Sequence, residues 1–132
     1  MSEIKLMGSR IVKLSGERNE TYDGEIKVTT NMSLVSTELV KDAKDILKIY
    51  YRFEADYGGL GRVVVDGALF VSSDSKTLKD IQKDSKAQKM NGPNQVLIAN
   101  LILQKASLRC FEMEEELGLP IHIRLPTLKL KD

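Results

Sequence analysis

Four features of this chain are of types that do chemistry elsewhere: one cysteine, one histidine, a run of glutamates and a glycine-rich loop. Cys110 would act, as its thiolate, as a nucleophile or a soft metal ligand. It falls on an apolar helical stripe with no histidine close in sequence, which is the setting of a buried and inert thiol. His122 is the only histidine. A single imidazole with no cysteine or carboxylate cluster beside it in sequence makes no metal-ligand set, which leaves it packing or a pH-sensitive contact. Gly58, Gly59, Leu60 and Gly61 have the composition of a phosphate loop, but such loops lead from a strand into a helix N-terminus. Here the glycines separate two alternating runs and read as a hairpin turn. Glu112, Glu114, Glu115 and Glu116 stand at the C-terminal end of a helix, unfavourably against its dipole. They read as a solvated rim, or as an acidic contact for a partner. No acid–base pair or nucleophile–base set can be named, so no enzyme activity, catalytic residue, metal or cofactor is expected.

The elements that would position these residues are easier to read. Pro93 suits a first helical turn and Gly118 a left-handed cap, so Pro93 to Leu117 reads as one helix of roughly 37 Å. Ala99, Ile102, Ala106, Cys110, Met113 and Leu117 form one apolar stripe along it. Leu97, Leu101, Leu108 and Phe111 form another on the opposite side. A surface helix needs one apolar stripe; two imply packing from both sides, and the second stripe is the expected interface of a homo-oligomer.

Ahead of this helix come four runs of strand character. Ile4 to Leu14 alternates with a flaw near Gly8, and Gly16 to Gly24 is polar. From Glu25 to Leu39 the alternation changes phase near Leu34, which requires a bulge or crossover. Lys41 to Asp45 is a charged turn. Leu47 to Tyr57 is the cleanest strand, with Leu47, Ile49, Tyr51, Phe53 and Ala55 on the core side. In Arg62 to Val71 the opposite face carries Val64, Ala68 and Phe70, where a wet face would be polar. Those three, with Leu78 and Ile81 on a short charged helix from Thr77 to Met90, are the candidate apolar client surface. Ile121 to Leu130 reads as an extended tail. Four strands followed by helices make an α+β layer, a four-stranded antiparallel sheet with the long helix on one face.

The composition supports one domain over residues 1–132, since 132 residues bury a single core. A net charge of +1 and the absence of a basic run argue against nucleic acid. No apolar stretch approaches the roughly 20 residues of a membrane span. MSEIKLMGSR has no apolar signal core, and a lone cysteine suits a reducing compartment, so the cytoplasm is expected.

The residues ILKIYYRFEADY (Ile46 to Tyr57), GGLG, RVVVDGALFV (Arg62 to Val71), NQVLIANLILQKASLRCFEMEEELGLP (Asn94 to Pro120) and IHIRLP (Ile121 to Pro126) together resemble the SecB-type protein-export chaperones. The resemblance lies in pattern and element order across Ile4 to Pro126. It implies a four-stranded antiparallel sheet backed by a long helix, a dimer or dimer of dimers with long helices between sheets, and ATP-independent binding of unfolded chains. TLKLKD stands where family members carry a second helix, and the cysteine-rich zinc-binding tail of export members has no counterpart. Service to an export motor is therefore open, as is a dedicated client such as an antitoxin. Two functions follow: a holdase for non-native polypeptides, or an oligomeric scaffold of the same fold.

Overall fold

Period-2 patterning governs the first half of the chain, and it builds one antiparallel sheet before any helix forms. The structure, a computed structural model, describes residues 3–40, 45–89 and 91–122. Its strands are β1 (Lys5–Arg18), β2 (Thr29–Leu39), β3 (Ile46–Asp56) and β4 (Gly61–Ser72), followed by α1 (Ser75–Lys86) and α2 (Pro93–Leu117). The expected turn at positions 41–44, Met90, and the tail beyond His122 lie outside the described residues.

The sheet order is β1-β4-β3-β2, with every pair antiparallel. β2, β3 and β4 form a meander. β1 lies beyond β4, so the chain from Arg18 to Thr29 must cross from one edge of the sheet to the other. It crosses at the β3–β4 turn, where the Asn19 amide donates to the Leu60 carbonyl at 2.6 Å.

Three register shifts interrupt the pairing: between Leu6 and Gly8, between Ile11 and Lys13, and between Leu34 and Ser36. The first and third stand at the two positions where the alternation breaks in sequence. A bulge inserts one residue and restores the apolar phase on the core side. The inserted residues Met7, Val12 and Val35 are therefore exposed, although apolar.

One face of the sheet is the core. Leu47, Ile49, Tyr51, Phe53, Ala55 and Tyr57 from β3 and its end, and Val63, Val65, Leu69 and Val71 from β4, are fully or almost fully buried. Over them lie Leu78 and Ile81 of α1 and Ile98, Ile102, Ala106 and Cys110 of α2. Such burial is worth roughly 1.5–3 kcal/mol per large aliphatic side chain.

α1 begins two residues before the expected Thr77, because the Asp74 side chain caps it by accepting from the Thr77 amide. It also ends early, at Lys86. α2 has the expected bounds: Pro93 occupies the first turn, and Gly118 at φ 65° caps the end. Two of its last carbonyls, on Leu117 and Gly118, accept from the Arg18 guanidinium. That cation satisfies orphaned acceptors at the negative end of the helix dipole. At its other end α2 is tied to α1, where the Gln95 amide donates to Ser85 Oγ at 3.1 Å, both residues being buried.

Candidate functional site

Among the described residues three apolar surfaces remain after the core is complete. The first is the sheet face turned away from the helices. Cross-strand pairing puts Arg10, Ala68 and Tyr50 in one row and Gly8, Phe70 and Lys48 in the next. Arg10 stands over the Phe70 ring at 5.3 Å, and Lys48 stands over Tyr50 at 4.5 Å and Phe70 at 5.7 Å. Their aliphatic stems can lie along apolar surface while the charged heads reach water. Beside the Tyr50 ring the bulged Val12 and Val35 approach from opposite edges of the sheet. They border a depression of about 400 Å³ that also involves Tyr50, Arg52, Asp66 and Gly67. The Arg52–Asp66 pair, in which Arg52 Nε and Nη2 donate to the two Asp66 oxygens at 2.7 and 3.2 Å, forms part of its wall.

The second surface is a cleft of similar volume between β2 and α1, lined by Leu34, Val35, Thr37, Gln82, Ser85 and Lys86. Among the described residues β2 pairs only with β3, so its other edge offers backbone groups that no described strand pairs. Val35, 63% exposed, borders both depressions. The third surface is the outer stripe of α2. Leu97 and Leu108 are 41% and 60% exposed, while Leu101 and Phe111 are half-buried.

The structure distributes the expected client residues unevenly. Phe70 and Val64 are half-buried on the outer sheet face. Ala68 faces the same way and is fully buried, yet it is no part of the core cluster; its neighbours Arg10, Tyr50 and Phe70 crowd over it. Leu78 and Ile81 are elsewhere. Both are wholly buried beneath α1 in the core, because the apolar side of a charged helix turns inward. Val12, Val35 and Tyr50 had no signal of client contact in the sequence. The phase break near Leu34 marked a bulge, and a bulge residue leaves the alternation, which was the available clue.

A fourth feature is polar and interior. Cys110 and Glu114 stand one turn apart on the buried side of α2, and Gly118 turns the chain so that His122 comes back beside them. Tyr57 Oη donates to Glu114 Oε2, and His122 Nδ1 lies 2.8 Å from Glu114 Oε1. The Tyr57 hydroxyl is also 3.8 Å from Cys110 Sγ. Phe53 meets the imidazole edge-on, with ring centroids 5.6 Å apart. The Glu114 and His122 side chains are 0% and 1% exposed. Burial, with the carboxylate of Glu114 next to it, pushes the Cys110 thiol up to about 12. Burial and the hydrogen bond to Glu114 raise the Tyr57 phenol as well. Glu114 is therefore not the solvated rim residue that its glutamate neighbours imply. His122, alone in sequence, has both a cysteine and a carboxylate within reach.

No family model matches the chain, and no curated protein matches it significantly. Among solved structures it is similar to a Mycobacterium tuberculosis SecB-like chaperone determined in complex with a ChAD peptide from an antitoxin. That match has a TM-score of 0.57 at 6% identity and covers 98% of this chain and 93% of the other. A protein of unknown function from Streptococcus agalactiae matches with a TM-score of 0.46 at 9% identity, over 96% of this chain and 99% of that one. The four-stranded antiparallel sheet with its long C-terminal helix is thus a SecB-like fold.

Proposed function

We propose that the protein is a non-enzymatic, ATP-independent holdase that binds extended segments of non-native polypeptides on the outer face of its sheet. The observation that carries this reading is the pair of bulged valines. Val12 and Val35 are turned out of their strands into one depression, beside the ring of Tyr50. Apolar side chains on a sheet face suit a peptide held by its own apolar residues, while the flanking Arg10, Lys48 and Arg52 suit acidic or carbonyl groups along it. Ala68, Phe70 and Val64 belong to this surface. Leu78 and Ile81, buried in the core beneath α1, are no part of it. The SecB-like fold, shared with a chaperone that holds a peptide, supports the same reading. No helix among the described residues is long and apolar enough to cross a membrane, and the proposed site of action is the cytoplasm.

The outer stripe of α2 favours a second property, self-association into a dimer or a dimer of dimers. Leu97, Leu101, Leu108 and Phe111 are the proposed interface. If only this property were present, the protein would be a scaffold.

The test is aggregation of a chemically denatured, unrelated protein, followed by light scattering without nucleotide. Stoichiometric amounts of the chain are expected to suppress scattering, and Phe70→Ser combined with Val35→Ser to lose suppression without a change in oligomer mass. No suppression by the unmutated chain would leave the scaffold reading.

A further inference from the structure

The Tyr57, Cys110, Glu114 and His122 cluster serves neither the sheet surface nor the α2 stripe, and its chemistry differs from that of the rest of the core. One sulfur, one carboxylate oxygen and one imidazole nitrogen lie within 4.8 Å of one another. All three come from side chains shielded from water. A network complete in itself would leave no buried group unbonded. Here His122 Nε2 is buried with no hydrogen-bond partner among the described residues, and the contact of Cys110 Sγ with Tyr57 is long, at 3.8 Å.

We infer that Cys110, Glu114 and His122 form a binding site for a divalent transition metal of the zinc class. A thiolate, an imidazole and a carboxylate are the donor types that Zn²⁺ and Co²⁺ accept. Mg²⁺ and Ca²⁺ prefer a shell of oxygens. Ligand atoms around a tetrahedral zinc stand about 3.5 Å apart, so on binding the 4.8 Å spread closes by about 1.3 Å while the 2.8 Å contact of His122 with Glu114 opens by about 0.7 Å.

The supporting shell is already in place. Cys110 and Glu114 are held on one side of α2, whose end is fixed by the Gly118 cap and the Arg18 guanidinium. Tyr57 orients the carboxylate and Phe53 the imidazole ring, as outer partners of metal ligands do. Coordination expels the thiol proton, so one proton leaves as the Cys110 sulfur becomes a thiolate bound to the cation. The consequence is structural. The ion staples the segment after Gly118 to α2.

Three ligands leave a fourth position open to water or another donor. This inference does not rest on the holdase reading, and it fails or stands separately.

The test is a Co²⁺ titration of purified, chelator-treated protein, with Zn²⁺ as competitor. Expected are intense visible bands of tetrahedral Co²⁺ and a near-ultraviolet sulfur-to-cobalt band, both saturating at one equivalent and erased by Zn²⁺. Cys110→Ser, nearly isosteric, is expected to abolish the sulfur band, and Glu114→Gln to weaken affinity tenfold or more. Thermal unfolding gives a second readout: Zn²⁺ raises the midpoint of the unmutated chain and leaves that of Cys110→Ser in place. No sulfur band and no thermal shift in the unmutated chain would overturn the site. So would bands that persist unchanged in Cys110→Ser, because they would place the metal at surface donors.

Discussion

Replacing Glu114 with alanine probes how much of the fold depends on a carboxylate placed where an aliphatic residue would be ordinary. Glu114 is fully shielded, and its two oxygens hold Tyr57 Oη and His122 Nδ1. Deleting it strands both partners in the interior. Each unpaired buried polar partner costs about 1–3 kcal/mol, so the two together cost about 2–6 kcal/mol. Relief of the carboxylate's own desolvation works the other way, so the expected net loss is about 3–4 kcal/mol. Against a typical domain stability of about 5–15 kcal/mol, that is a large fraction. Glu114→Gln keeps an acceptor for Tyr57 and puts an amide toward His122, so about 1–2 kcal/mol is expected. The assay is urea unfolding followed by circular dichroism, in a chelating buffer and at fixed protein concentration, so that neither metal nor association enters. A cycle with Tyr57→Phe should return a coupling of about 0.5–3 kcal/mol, as contacting residues do. A loss below about 1 kcal/mol for Glu114→Ala, with an unchanged denaturant slope, would refute the idea that this network holds α2 to β3.

Leu108→Glu, at the most exposed leucine of the α2 stripe, should shift the mass seen by multi-angle light scattering toward monomer and leave the circular dichroism unchanged. Burying such a leucine is worth roughly 1.5–3 kcal/mol, so a charge there removes that gain and adds a desolvation penalty. Gly67→Ala would place a Cβ 2.4 Å from Tyr51 Oη and 2.5 Å from its Cζ, and overpacking of this kind costs about 1–3 kcal/mol, readable as a lower urea midpoint. Tyr51→Phe should be neutral or stabilising, since the Tyr51 hydroxyl is buried without a hydrogen-bond partner among the described residues. Cys110 sets a pH dependence: its folded thiol titrates near 12 against an ordinary 9.0. The stabilisation is complete below about pH 9 and drains as pH rises through that window, because the folded chain then keeps a proton that the unfolded chain has lost. Cys110→Ala should show a shallower alkaline decline in urea midpoint than the unmutated chain.

Much of the sheet was legible because β3 is covered on one side and wet on the other. Leu47 to Tyr57 therefore alternates without a break, and its core row is buried as expected. Both ends of α2 were legible because Pro93 and Gly118 act locally, through ring geometry and a left-handed backbone. α1 was less so: its N-cap is Asp74, and its apolar residues are too few to mark a stripe. Leu78 and Ile81 are not surface but core; a helix packed by one edge needs only those two.

The cluster at the end of α2 shows a different limit. The spacing of Cys110 and Glu114 was visible as one helical turn, but three glutamates around Glu114 disguised which one pointed inward. His122 joins them only through the reversal at Gly118, and no period in the sequence encodes such a reversal.

The two proposed surfaces are compatible because of where the layers lie. α2 covers the core side of the sheet, so its outer stripe of Leu97, Leu101, Leu108 and Phe111 faces away from β3 and β4. The depression at Val12, Val35 and Tyr50 opens on the far side of those same strands. The proposed self-association through α2 would therefore leave the outer sheet face, the proposed peptide surface, uncovered. A scaffold needs only the helix stripe; it gains nothing from valines turned outward at two bulges on opposite edges of a sheet. That second expenditure of exposed apolar surface, unhelpful to solubility in a chain of small net charge, is what weighs toward a protein that holds other chains. Leu108→Glu then separates the two properties: monomers that still suppress aggregation would place the holding function on the sheet, whereas monomers that lose it would place that function on the assembled helices.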